Sequence, residues 1–184
     1  MAEALDAAVP PQADALAQRV LRQACDKHLR LATAESCTGG LLASLLTDLP
    51  GMSHAFERGF VSYTHAAKTE MLGVSPRILQ TDGAVSEAAA RAMAQGALAH
   101  SQADLAVSVT GFTEGAPGQT AGLVHLACGR RGGPLHHLRM EYGDLGRAKV
   151  RIAALQTALE MLQAQLQTAK AAAAAEGGPT PRPG

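Results

Sequence analysis

Short apolar segments of strand length alternate with segments of helical periodicity along most of this chain. The strands are predicted at 29–34, 56–63, 104–111, 122–129 and 136–142, and the helices at 14–27, 40–48, 65–72, 86–100 and 146–168. The turn "RRGG" joins the last two strands into a hairpin. Strands that alternate with helices and end in a hairpin predict a layered α/β domain with a mixed sheet.

Length and composition predict one folded domain with two loose ends. The 184 residues suffice for a hydrophobic core. We expect a flexible N-terminal arm over residues 1–11, a folded domain over 12–170 and a flexible Ala/Gly/Pro-rich tail over 171–184. The three cysteines include no close pair, which argues against disulfides and a zinc ribbon. With no apolar segment of signal-peptide or membrane-span length, the sequence predicts a cytoplasmic protein that does not enter a membrane.

The charge balance excludes some classes of partner. Sixteen basic and sixteen acidic residues cancel, so the chain has no overall field for a nucleic-acid backbone or an anionic membrane surface. The histidines are scattered without metal-ligand spacing, and of His136 and His137, which alternate along a strand, at most one faces a site. We therefore predict no nucleic-acid partner, no membrane partner and no metal, with a small local anion site still open.

The stretch "ATAESCTGGLLASLL" places Glu35, Ser36 and Thr38 where a strand ends, and Gly39 and Gly40 where a helix begins. Unpaired N–H groups at a helix start can hold an oxyanion or a phosphate, and glycine lets a ligand approach the backbone. A serine there would have donors aimed at the charge that develops in acyl transfer. The alternative is that Ser36 or Thr38 only caps the helix.

Three further groups of residues carry candidate chemistry. Lys68 in "GFVSYTHAAKTEML" lies near a helix start, where the dipole and burial would both favour the neutral amine; that amine could take a proton from a serine, with Tyr63 as a relay. The loop 108–122 follows an apolar strand at its carboxyl end, where α/β sheets bind ligands. Arg147 and Arg151, one helical turn apart, could meet an anion. The alternatives are a solvated lysine, a plain flexible loop and a solvent-facing basic edge.

Together, these residues resemble the CinA C-terminal domain family, whose stand-alone members include nicotinamide mononucleotide amidohydrolases. The resemblance covers roughly residues 14–165. It is carried by "TAESCTGG", "FERGFVSYTHAAKTEMLGV", "GAVSEAAARAMAQGAL" and "AVSVTG", with a weaker similarity at "GRAKVRIAALQTAL". It implies a single-domain, three-layer α/β/α sandwich that hydrolyses the carboxamide of a small pyridine nucleotide, without a cofactor, as a homodimer. We expect the N-terminal domain of full-length CinA proteins to be absent.

The resemblance also implies roles for individual residues. It places the serine nucleophile on Ser36, with Tyr63, Lys68 and Thr110 as its catalytic partners. The residues predicted to contact the substrate are Glu35, Thr38, Gly39, Gly40, Gly111 and Arg147. Cys37 is a rival nucleophile, since a helix start would also lower the pKa of a thiol.

The chain departs from the family pattern at two loops. The run "TGFTEGAPGQTAGLVHLA" is several residues shorter than usual and brings Glu114 to a place where a phosphate or ribose would lie. The segment "GDLGR" before the last helix is longer than the usual Gly-Asp-Arg. Two alternatives therefore stay open: a CinA-like domain that binds a nucleotide-like ligand without turnover, and an amidase for another small carboxamide.

Overall fold

A computed structural model of the chain describes residues 9–52 and 54–175. Over these residues the chain forms six helices and five strands. The helices are α1 (Pro11–Asp26), α2 (Leu41–Thr47), α3 (His65–Leu72), α4 (Pro76–Thr81), α5 (Glu87–Ala99) and α6 (Arg147–Ala175). The strands are β1 (Leu31–Glu35), β2 (Phe56–Val61), β3 (Leu105–Gly111), β4 (Leu123–Arg130) and β5 (Leu135–Glu141). None of the helices in this part of the chain is long and apolar enough to cross a membrane.

The five strands form one mixed sheet in the order β2-β1-β3-β4-β5. β1 pairs in parallel with both β2 and β3, whereas β3, β4 and β5 pair in antiparallel fashion. The parallel strands β1 and β3 end at the same edge of the sheet, where open α/β sheets bind ligands. The predicted α/β class, with its mixed sheet and terminal hairpin, is confirmed.

Helices cover both faces of the sheet. On one face α1, α2 and α6 enclose the larger apolar core, to which β3 contributes Leu105, Val107 and Val109. On the other face α3, α4 and α5 pack on a smaller core that includes Ala106. Side chains alternate between faces along a strand, so neighbouring residues in one strand belong to different layers.

Helix ends are set by local chemistry that the sequence carries. The hydroxyls of Thr64, Ser75 and Ser86 accept hydrogen bonds from backbone N–H groups in the first turns of α3, α4 and α5. The helix predicted over 86–100 thus has Ser86 as its N-cap. Helix α4 was not predicted, because its six residues are too few to show a helical period.

One close contact joins the two helices that frame the candidate site. Gly96 of α5 lies against the backbone of Leu72 at the end of α3, and a Cβ at position 96 would overlap the Leu72 carbonyl. Glycine is required there because the two backbones touch. This contact fixes the distance of α3 from α5.

The predicted chain ends fall partly outside the described residues. Residues 1–8 of the predicted arm and 176–184 of the predicted tail lie outside them. Within the described part, α1 begins at Pro11, and α6 continues to Ala175, beyond the predicted domain limit at 170. Poly-alanine has the highest helix propensity of any such run, which accounts for the longer helix.

Candidate active site

The turn between β1 and α2 carries Ser36 at the carboxyl end of a buried strand. The Ser36 N–H donates to the Val109 carbonyl of β3 (2.9 Å), and the Gly39 N–H donates to the Ser36 carbonyl (3.1 Å). Gly39 and Gly40 have φ values of 63° and 89°, a conformation that other residues rarely adopt. These glycines allow the tight turn that presents Ser36 at the sheet edge.

Arg151 of α6 supports this turn from the opposite side. Its Nη2 donates to the Thr38 carbonyl, and a Cβ at Gly39 would lie 2.7 Å from the same nitrogen. The two arginines that the sequence placed one helical turn apart, where they could meet an anion, therefore have different surroundings. Arg151 packs on the turn, whereas Arg147 lines a cavity beside it.

Glu35 has a structural position rather than a substrate-facing one. Its fully buried carboxylate accepts hydrogen bonds from the N–H groups of Gly40 (3.1 Å), Leu42 (3.1 Å) and Ala43 (2.8 Å), and from the Thr33 hydroxyl (3.2 Å). Strand alternation directs Glu35 to the α2 face and Ser36 to the α3 face. The carboxylate that the sequence offered as a substrate contact instead caps α2.

Lys68 of α3 lies directly beside Ser36. Its Nζ is 2.9 Å from Ser36 Oγ, 2.8 Å from the Ser62 carbonyl and 3.3 Å from the Tyr63 carbonyl. The side chain is only 1% exposed. Three acceptors around one nitrogen match the three hydrogens of an ammonium group. A neutral amine fits equally well, because the two carbonyls take its hydrogens and its lone pair then faces Ser36.

Burial lowers the pKa of Lys68 from the ordinary value of a lysine. Within the described residues, no carboxylate forms an ion pair with this side chain. A buried lysine without a counter-charge is rare, because an unpaired charge is costly to desolvate. The surroundings of Lys68 therefore favour the state that can accept a proton.

The Tyr63 side chain is not brought to Lys68. Tyr63 follows β2, an edge strand, and its side chain is 69% exposed, while its carbonyl accepts from Lys68 Nζ. The Ser62 carbonyl, which the sequence did not single out, makes the shorter contact. A phenol on the solvent side of the chain cannot act as a proton relay in this conformation.

Thr110 of β3 lies on the same sheet face as Ser36. The register pairs Ala34 with Ser108, so two residues further along both strands Ser36 and Thr110 point the same way. The Thr110 hydroxyl donates to the Ala84 carbonyl at 2.7 Å. Its hydrogen is therefore engaged by the loop before α5, and its oxygen can only accept.

Some backbone N–H groups of the turn donate hydrogen bonds to other groups of the turn, and others are free, in the described part of the chain, to bind a ligand. The N–H groups of Gly39, Gly40 and Leu41 donate to Ser36, Glu35 and Thr38 respectively. Within the described residues, the N–H groups of Cys37 and Thr38 have no hydrogen-bond acceptor, and neither has the buried Thr38 hydroxyl.

Cys37 points into the larger core, away from Ser36. It is buried there, and burial raises the pKa of its thiol to about 12. A thiol with so high a pKa is not ionised near neutrality, so it is a poor nucleophile.

A cavity of about 190 Å³ adjoins the dyad formed by Ser36 and Lys68 through Tyr63, whose carbonyl contacts Lys68 Nζ, although neither residue of the dyad lines it. Its lining includes Tyr63, Gly111, Phe112, Glu114 and Arg147. Arg147 Nη2 lies 3.0 Å from Glu114 Oε2, and both side chains are about half exposed. Gly111 and Arg147, which the sequence predicted as substrate contacts, both line this cavity.

A histidine pair lies on the same sheet face, further from Ser36. His125 Nδ1 is 3.0 Å from His137 Nε2, and His137 Nδ1 is 3.4 Å from Glu87 Oε2. Burial lowers the pKa of both imidazoles. His125 pairs with Thr110 in the β3–β4 register. The sequence could have indicated this pair, because the alternation of side chains along the predicted hairpin places one histidine of each strand on the same face.

The sequence of this chain is similar to those of known proteins. A sequence profile of the CinA C-terminal domain matches residues 13–166. This chain belongs to the CinA C-terminal domain family. The CinA-like protein of Akkermansia muciniphila is 47% identical over 135 residues, which are 72% of this chain and 33% of that protein. The CinA-like protein of Syntrophus aciditrophicus is 42% identical over 150 residues, 79% of this chain and 35% of that protein. The chain thus spans about a third of the length of these curated relatives.

Solved CinA-superfamily structures share the whole fold. The crystal structure of the competence/damage inducible protein CihA from Agrobacterium tumefaciens has a TM-score of 0.83 at 46% identity, covering 88% of this chain and 99% of that chain. A CinA-superfamily protein from Klebsiella pneumoniae has a TM-score of 0.80 at 32% identity, covering 85% and 98%. The family membership predicted from the sequence is confirmed.

Proposed function

We propose that this CinA-family domain is an amidohydrolase that converts nicotinamide mononucleotide to nicotinic acid mononucleotide and ammonia. The observation that carries the proposal is the 2.9 Å separation of Lys68 Nζ and Ser36 Oγ, in a buried pair to which the described residues supply no counter-charge. An activated serine beside a desolvated lysine is the arrangement of a serine–lysine acyl-transfer enzyme. The pyridine nucleotide substrate comes from the family resemblance alone.

The first half of the reaction uses Lys68 as a base. The neutral amine takes the proton from the Ser36 hydroxyl while the Ser62 and Tyr63 carbonyls hold its two hydrogens. The Ser36 oxygen then attacks the carboxamide carbon. The negative charge on the carbonyl oxygen is stabilised by the N–H groups of Cys37 and Thr38 and by the Thr38 hydroxyl, which have no hydrogen-bond partner in the part of the chain that the structure describes.

The second half releases both products. Lys68 gives its proton to the amide nitrogen, and the C–N bond breaks. Ammonia then leaves, while the acyl group stays bound to Ser36. Lys68 then takes a proton from water, whose oxygen attacks the acyl carbon, and the Ser36 oxygen recovers a proton as the acid departs. Every proton passes through one nitrogen, so the scheme needs neither Tyr63 as a relay nor a cofactor.

Ammonia release from nicotinamide mononucleotide tests the proposal directly. The wild-type protein should release ammonia, and Ser36→Ala should not. Equal release by both proteins would exclude Ser36 as the nucleophile.

Two alternatives have their own outcomes. A thermal shift with the mononucleotide but no ammonia would favour a ligand-binding domain, since a ligand that binds the folded state stabilises it. Ammonia from other carboxamides alone would favour a different amidase.

The cytoplasmic location and the homodimer remain predictions from the sequence and the resemblance. Light scattering of the purified protein tests the second, and a monomer would exclude it without affecting the chemistry.

A further inference from the structure

The cavity beside the dyad is joined to it by two backbone connections. Tyr63 lines the cavity, and its carbonyl accepts a hydrogen bond from Lys68 Nζ. Gly111 also lines the cavity, and it directly follows Thr110, the neighbour of Ser36 on the sheet. A substrate whose carboxamide reaches Ser36 would therefore place its remaining part in this cavity.

The charges in the cavity are paired with each other. Of the residues that line it in the described chain, Arg147 is the one cation and Glu114 the one anion, and they form an ion pair at 3.0 Å. The N-terminus of α2, with the positive end of its helix dipole, is the other place where an anion could bind. The Glu35 carboxylate already accepts hydrogen bonds from the N–H groups there. An anionic group of the substrate therefore meets Arg147 only by displacing Glu114 or by lying beside it.

We propose that Glu114 is a specificity-determining residue that weakens the preference of this site for amides carrying a phosphate. The inference rests on the proposed amidohydrolase function and goes beyond it by naming what selects the substrate. Glu114 forms an ion pair with the Arg147 guanidinium, which a phosphate of the substrate would otherwise bind. The negative charge of Glu114 also repels a phosphate dianion. A nicotinamide riboside, which has a cationic pyridinium and no phosphate, meets no such repulsion.

The ratio of kcat/KM for nicotinamide mononucleotide to that for nicotinamide riboside measures this selection. In Glu114→Gln, which removes the charge but keeps the size, the ratio should rise about two- to fivefold, mainly through a lower KM for the mononucleotide. This range corresponds to an exposed ion pair of ordinary strength. In Arg147→Gln the ratio should fall, because the phosphate loses its cation.

Glu141→Gln is the matched control. It removes one charge from another half-exposed ion pair, that of Arg139 and Glu141, which does not line the cavity. The ratio in this variant should stay at the wild-type value. A ratio in Glu114→Gln that matches the control would overturn the proposal.

The experiment also separates this inference from the proposed function. If the wild type releases ammonia from neither compound, the amidohydrolase assignment fails, and the same variants are compared by calorimetric binding of the two ligands. Tighter binding of the mononucleotide relative to the riboside in Glu114→Gln would still support the role of Glu114. No change in relative affinity, or no binding of either ligand to the wild type, would overturn it.

Discussion

The amine of Lys68 is held between the hydroxyl of Ser36 and the carbonyl of Ser62, at 2.9 Å and 2.8 Å. The carbonyl is fixed by the backbone, so it restricts where the hydrogens of the amine can point. Orientation of this kind contributes to catalysis because the reacting groups need not search for one another. Substitutions at position 68 therefore test whether the side chain there must act as a base.

Lys68→Arg should be nearly as inactive as Lys68→Ala. Arginine keeps the positive charge but does not deprotonate at working pH, so it cannot act as a base. Loss of a general base typically costs about 10²- to 10⁴-fold in rate. The measurement is kcat for ammonia release, with circular dichroism to show that each variant is folded. Near-normal turnover in Lys68→Arg would refute the serine–lysine mechanism.

The pH dependence of stability should report the burial of Lys68 without any substrate. Because burial lowers its pKa in the folded state, the unfolded chain binds more protons between that lowered pKa and about 10.4. Within this window the wild-type free energy of unfolding should rise with pH relative to Lys68→Met, by up to about 1.4 kcal/mol per pH unit. Urea unfolding of both proteins between pH 7 and 10 measures the difference. Parallel curves would mean that Lys68 titrates as an exposed lysine.

Glu35→Gln should destabilise the fold. The substitution keeps the shape but replaces a charged acceptor of three backbone N–H groups with a neutral amide. Hydrogen bonds to charged groups are worth about 1.5–3 kcal/mol each, so we expect a loss of about 2 kcal/mol in urea unfolding. Glu70→Gln, at an exposed position of α3, is the control and should change stability little. Equal stability of the two variants would contradict the capping role.

Cys37→Ala should retain activity within about threefold, whereas Ser36→Ala should lose it. The thiol is buried, and its raised pKa leaves it protonated near neutrality. Ammonia release by the two variants is the measurement. The opposite pattern would make Cys37 the nucleophile.

The histidine pair should make the fold acid-sensitive. Burial lowers the pKa of His125 and His137 in the folded state, so their contribution to stability is present above about pH 6.5 and is lost as the pH falls towards the lowered values. The nearby charges of Glu87, Arg91 and Arg139 remain in both proteins compared. The loss of unfolding free energy from pH 7 to pH 5 should be smaller in His125→Gln than in the wild type. An identical loss would show that His125 does not titrate in this range.

Most of the fold was predictable from local sequence pattern, and the six-residue helix α4 is the exception. The strand that precedes Ser36 and the helix that carries Lys68 were both expected from local pattern, and the resemblance placed Ser36 and Lys68 in one site. The face to which Glu35 points was harder to predict, because β1 is buried along its whole length, so neither of its faces is marked by exposure to solvent. Tyr63 was misplaced for a related reason: its strand lies at the sheet edge, and strand order is not a local property.

The contact of Gly96 with Leu72 has a consequence for how mutational data on this domain are interpreted. No other side chain fits between the two backbones, so a saturation scan would score position 96 as intolerant as position 68. The causes differ: substitutions at 96 would reduce the amount of folded protein, whereas those at 68 would reduce turnover per molecule. Yield and specific activity measured side by side would keep a packing constraint from being counted as a chemical one.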